Sequence, residues 1–152
     1  KVSIPNKGEP AIEIKLERWI NAADYGFYSG DHHIHAAGCA HYTNPTEGVL
    51  ADDMFLHVKG EGLNVGCVLT WGPCYRYQRQ FFEPKPHDLS DDTTILKYDL
   101  EISGFGSQAL GHVCLLNLKD QTYPGSDGLA TKGWPTWTTP GESSGVRTLA
   151  KW

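Results

Sequence analysis

Leu63-Asn64-Val65-Gly66-Cys67-Val68-Leu69-Thr70 is the stretch that decides the fold. It is a short valine-rich apolar run bounded by Gly62 and Gly72, which is how a buried parallel strand reads. Just before it, Val49, Leu50, Met54, Phe55 and Val58 recur at helical spacing, and Gly60 and Gly62 end that helix. Asn44-Pro45-Thr46-Glu47 supplies the start signal, with Thr46 as the cap and Glu47 in the first turn. Tyr28 to His35 reads as a strand. Strand, helix and strand in that order form a βαβ unit, which places the chain in the α/β class with a mostly parallel sheet.

The rest of the chain extends this unit in both directions. Ala11 to Arg18 alternates Ile12, Ile14 and Leu16 against Glu13, Lys15 and Glu17, so a half-buried strand is expected there. Trp19 to Tyr28 continues as irregular or extended chain. After the βαβ unit comes a polar, aromatic loop from Trp71 to Asp92. Thr94 to Ile102 reads as the next strand and Leu110 to Leu118 as another. Tyr123 to Ser144 is thick with Gly, Pro, Thr and Trp, and its length fits a lid or binding loop better than a plain connection. Val146 to Trp152 looks like the opening of a helix. No internal repeat is present.

Composition excludes several functions. The chain of 152 residues, 39% of them apolar, can bury one core but is short for two domains. Its net charge of −5 is spread without blocks of either sign, so there is no basic footprint for nucleic acid. No apolar run approaches the roughly 20 residues that span a bilayer, and residues 1–10 lack a signal-peptide apolar stretch. Few lysines and arginines, 17 glycines and five tryptophans lean toward an exported protein. Cys39, Cys67, Cys74 and Cys114 form no C-x-x-C pair, and their pairing is open. Cys67 and Cys114 lie in apolar strand-like runs where free buried thiols are expected, while Cys39 and Cys74 could bridge or meet a metal.

The chemistry concentrates in Gly30-Asp31-His32-His33-Ile34-His35, with His41 six residues on. Four of the seven histidines fall within ten residues. On a strand, alternate side chains share a face, so His33 and His35 can aim both imidazoles at one point, and His41 can reach back from the following loop. The alternative is a polar loop whose histidines only hydrogen-bond. In parallel sheets, ligand groups gather at the carboxyl ends of strands. Glu101 ends one strand there and His112 lies near the start of the next. Imidazoles with one carboxylate suit zinc, manganese or iron better than calcium. Such an ion would lower the pKa of its water toward about 7 and supply a nucleophile. Asp31 could be a ligand or an acceptor that orients an imidazole. His57 and His87 read as structural or solvent-facing, and Asp52-Asp53 as a solvated helix face.

Gly30-Asp31-His32-His33-Ile34-His35 resembles the first motif of the PHP (polymerase and histidinol phosphatase) superfamily, Asp-Leu-His-x-His. The wider run from Trp19, through Asp99-Leu100-Glu101-Ile102-Ser103 to Gly111-His112-Val113, is similar to the CehA/McbA family of metallohydrolases within it. The resemblance implies a distorted (β/α)7 barrel with two or more metals at the strand carboxyl ends. It implies His33, His35 and His41 as ligands, Glu101 as a carboxylate that could bridge metals, and His112 as a further ligand. Glu101 and His112 would be the catalytic groups. Two features depart from the pattern. Thr70-Trp71-Gly72 stands where the superfamily has Thr-Asp-His, and the family's later His and Asp-x-His lie beyond a helix resembling Val146 to Trp152. The resemblance therefore implies residues 1–18 as a leader segment and 19–152 as the amino-terminal part of a PHP-like domain. The remainder of the barrel, or another copy of the chain, is expected to cover the exposed edges.

These features lead to a metal-dependent hydrolase acting on an ester, amide, carbamate or phosphoester bond of a small molecule, with no nucleic-acid or membrane partner. A non-catalytic metal-binding structural or self-assembling module is the alternative. A sugar-binding domain stacking on Tyr123, Trp134 and Trp137 explains the loop aromatics but leaves the histidines idle.

Overall fold

The computed structural model describes residues 13–37, 48–71, 75–102 and 111–121. Its elements run β1 (Gly30–Ile34), α1 (Ala51–Gly60), β2 (Val65–Trp71), α2 (Tyr75–Gln78), β3 (Ile95–Ile102) and β4 (Val113–Leu115). Two short 3-10 turns accompany them, Ala22–Tyr25 before β1 and Arg79–Phe81 between α2 and β3. The four strands form one sheet in the order β1-β2-β3-β4, curled into a half-barrel. β1 pairs with β2 and β2 with β3 in parallel, so the expected βαβ unit is present. β4 returns antiparallel to β3.

Helix α1 crosses one face of the sheet because Met54 and Val58, four residues apart, form its buried stripe. They pack with Val68, Leu96 and Tyr98, and Ile34, Phe55 and Leu63 close around them. Gly66 permits this close approach: a Cβ there would lie 2.5 Å from Val58 Cγ2. Asp52 and Asp53 sit in the first turn, where negative charge complements the helix dipole. A second cluster, Tyr75 with Leu100 and Ile102, fills the same face toward the strand carboxyl ends.

Two expectations are corrected. The helix begins at Ala51 with Leu50 as N-cap, not at the Thr46 signal. Gly48 has φ +106°, a conformation no helix contains, so a helix could not run through it. Glu13 to Arg18 forms no strand among the described residues. Ile14 and Leu16 are 58% and 90% exposed, without the ladder partner that alternation alone cannot provide. The expected lid from Tyr123, the final helix, Cys39 and Cys74 lie outside the described residues, as does His41. No helix among the described residues is long and apolar enough to cross a membrane.

Candidate metal centre

The other face of β3 carries an unusual set of side chains for a buried strand. Successive residues point to opposite faces, so Leu96, Tyr98, Leu100 and Ile102 take the apolar side while Lys97, Asp99 and Glu101 share the other. All three are buried, Glu101 completely. Lys97 Nζ donates to Asp99 Oδ1 at 3.1 Å and to the carbonyls of Glu83 and Tyr98. Asp99 also accepts the backbone N–H groups of Asn117 and Leu118. That pair is thus satisfied within the protein.

Glu101 is surrounded differently: its neighbours are imidazoles. His33 Nε2 lies 3.0 Å and His35 Nε2 3.4 Å from Oε2, and the two Nε2 atoms are 3.1 Å apart. His112 Nδ1 approaches the other oxygen, Oε1, at 2.6 Å. Sequence spacing anticipated this convergence, with one piece of geometry it did not contain. Had β4 run parallel, the start of that strand would lie at the far end of the sheet from Glu101. The antiparallel register Glu101↔Cys114 and Ile102↔Val113 instead brings the residue preceding β4 to the end of β3.

His33, His35 and Glu101 form a group that could hold a metal ion. The test is their mutual geometry. Ligand bonds of ~2.0–2.1 Å put neighbouring donor atoms ~3.3–3.4 Å apart on a tetrahedron and ~2.8–3.0 Å apart on an octahedron. The three observed separations, 3.0, 3.1 and 3.4 Å, fall in that range. The chemistry agrees. A neutral imidazole has one N–H, so three nitrogen and oxygen atoms meeting at one point exceed what hydrogen bonding alone arranges economically. A cation at their centre takes one lone pair from each of the three donor atoms. Two imidazoles and one carboxylate suit a borderline divalent ion better than calcium.

The site is open to solvent on the histidine side. His33, His35 and His112 are 37, 27 and 45% exposed, whereas Glu101 is fully enclosed. Small ligands therefore reach the imidazoles while the carboxylate stays fixed. Cys114, across from Glu101, is held neutral: burial pushes its thiol up, and the Glu101 charge pushes it further. Asp31 contacts the backbone rather than an imidazole ring. Its Oδ1 accepts the backbone N–H of His33 at 2.9 Å. His57 is solvent-exposed on α1. His87 is structural: its N–H donates to the Leu96 carbonyl and its ring lies against Tyr98. Cys67 and Cys114 are free thiols, as expected, but only Cys67 is buried and Cys114 is half-buried.

Sequence reasoning passed over the buried Lys97–Asp99 pair. Its signal was present in Lys97-Tyr98-Asp99-Leu100-Glu101, where charged residues at a period of two mark a polar interior face. No protein-family model, curated protein or solved structure matches this chain.

Proposed function

We propose that the chain binds a divalent metal ion, zinc, manganese or iron, through His33, His35 and Glu101, and that this centre serves hydrolysis. The observation that carries the reading is three donor atoms 3.0–3.4 Å apart around a fully buried carboxylate at the carboxyl end of a parallel strand. The PHP resemblance of the His-x-His, Glu and Gly-His segments supports the same assignment, and with it a second ion and a (β/α)7 barrel fold. Held by His33, His35 and Glu101, such an ion would lower the pKa of a water toward about 7 and would polarise an ester, amide, carbamate or phosphoester oxygen.

The protein's own residues fill defined roles. Glu101 is immobile because it is buried on a central strand of the sheet, so it fixes the position of the centre. His33 and His35 complete the donor set from the neighbouring end of β1. His112 engages Glu101 through Nδ1 and is accessible at the mouth, which leaves Nε2 to move a proton to or from a small-molecule substrate.

A metal-stapled module without turnover is the second reading. It is favoured by the register Trp71↔Glu101, which puts a tryptophan where the resemblance expects a ligand from β2. The experiment is elemental analysis of protein purified from metal-supplemented medium, beside His33→Ala and Glu101→Gln, followed by an esterase, amidase and phosphatase screen. Metal retained by the wild type, lost by both variants and accompanied by turnover supports the hydrolase. Retention without turnover supports the structural module. No retention refutes both.

A further inference from the structure

We propose that Asp31 is a positioning residue for this centre: its carboxylate holds a β-bulge that turns His33 and His35 onto the Glu101 side of the sheet. The register carries the argument. Asp31 faces Gly66 and Ile34 faces Val68, so His32 and His33 together oppose Cys67 alone. Two residues against one is a bulge, and it reverses which residues of β1 point to which face. Without the extra residue, His33 would oppose Val68, on the side where Met54 and Val58 of α1 form the apolar core. With it, Ile34 takes that place and packs there, while His33 and His35 project to the Glu101 side.

A bulge leaves its extra residue out of the strand ladder. Here the Asp31 carboxylate accepts the His33 N–H at 2.9 Å, an i to i+2 bond of the kind by which aspartate closes a local turn. Asp31 is not among the donors that converge on one point; that group is His33, His35 and Glu101. Its side chain is exposed, so substituting it leaves both apolar clusters intact.

The functional consequence rests on the metal-centre reading, and the experiment separates the two. Cobalt(II) affinity and the visible cobalt spectrum are measured for wild type, Asp31→Ala and Asp31→Asn, with hydrogen exchange of the His33 amide followed by NMR in the metal-free proteins. Asp31→Asn keeps an oxygen acceptor and loses the charge. The expected result is about 10–100-fold weaker cobalt binding in Asp31→Ala, the scale on which orienting partners act. Asp31→Asn should stay within a few fold of wild type with an unchanged spectrum, and the His33 amide should exchange faster in Asp31→Ala alone. Equal weakening in both variants would assign Asp31 a ligand or charge role and overturn the proposal. Unchanged binding and exchange in Asp31→Ala would overturn it as well. If wild type takes up no cobalt, the metal reading fails, while the amide exchange still decides whether Asp31 holds the bulge.

Discussion

Gly66→Ala tests how tightly the site-bearing strands are locked to α1. The added Cβ would sit 2.5 Å from Val58 Cγ2, 3.1 Å from Val58 Cγ1 and 3.4 Å from Ile34 Cδ1. Carbon atoms in contact prefer about 3.5–4.0 Å, so the overlap with Cγ2 is about 1–1.5 Å. Val58 is 2% exposed and cannot swing away into solvent. The strain must be relieved by moving α1 off the sheet, and overpacking of this kind costs about 1–3 kcal/mol. For a chain of this size, 1 kcal/mol is about 2–4 °C in Tm, so a drop of roughly 2–12 °C is expected in thermal unfolding followed by circular dichroism. Val58→Ala removes both clashing methyl groups. The double variant should therefore be less destabilised than the sum of the single variants by at least about 1 kcal/mol. Ile34 lies between His33 and His35, so Gly66→Ala should also weaken metal uptake, and Val58→Ala should partly restore it. Additivity of the two substitutions within about 0.5 kcal/mol would refute the reasoning, because the cost would then not come from this contact.

Three further outcomes follow from buried or paired groups. Asp99→Ala leaves the Lys97 ammonium buried without its carboxylate and strips the acceptor from Asn117 and Leu118; urea denaturation should show a loss of about 3–5 kcal/mol. The Cys67 thiol is pushed up to about 11, by burial first and then by the Asp99 charge. Because the folded state favours the neutral thiol, this group costs nothing at neutral pH and lowers stability as pH rises from about 9 to 11. Mass-resolved iodoacetamide labelling at pH 8 should leave Cys67 unmodified until the protein is unfolded. The Asp91 carboxyl is held well below the usual carboxylate range by Lys59, with the Thr93 and Thr94 N–H groups adding to it. Its contribution is present above the unfolded carboxylate pKa of about 3.9 and lost below it, so the Tm deficit of Asp91→Asn at pH 7 should close as pH falls toward 2.

What was legible in the sequence and what was not separate along physical lines. The βαβ unit was legible because β2 is a continuous apolar run and α1 places Met54 and Val58 at helical spacing. His33, His35, Glu101 and His112 were legible because few other roles cluster imidazole and carboxylate at strand ends. The direction of β4 was not, since a three-residue strand carries no periodicity that encodes it, yet that direction is what brings His112 to Glu101. Nor was the bulge in β1, although it decides which face His33 occupies. Alternation in Ala11 to Arg18 misled because it records a capacity to pair, whereas pairing depends on a partner strand. The helix start was misplaced for a related reason: the Thr46 signal is sound locally, but Gly48 interrupts it.

The most direct test of the metal centre is X-ray absorption at the zinc edge of protein loaded with one equivalent of zinc. The account predicts nitrogen and oxygen neighbours at about 2.0–2.1 Å with the outer-shell pattern of at least two imidazoles, reduced to one in His33→Ala. A sulfur neighbour near 2.3 Å, or a spectrum that His33→Ala leaves unchanged, would contradict it.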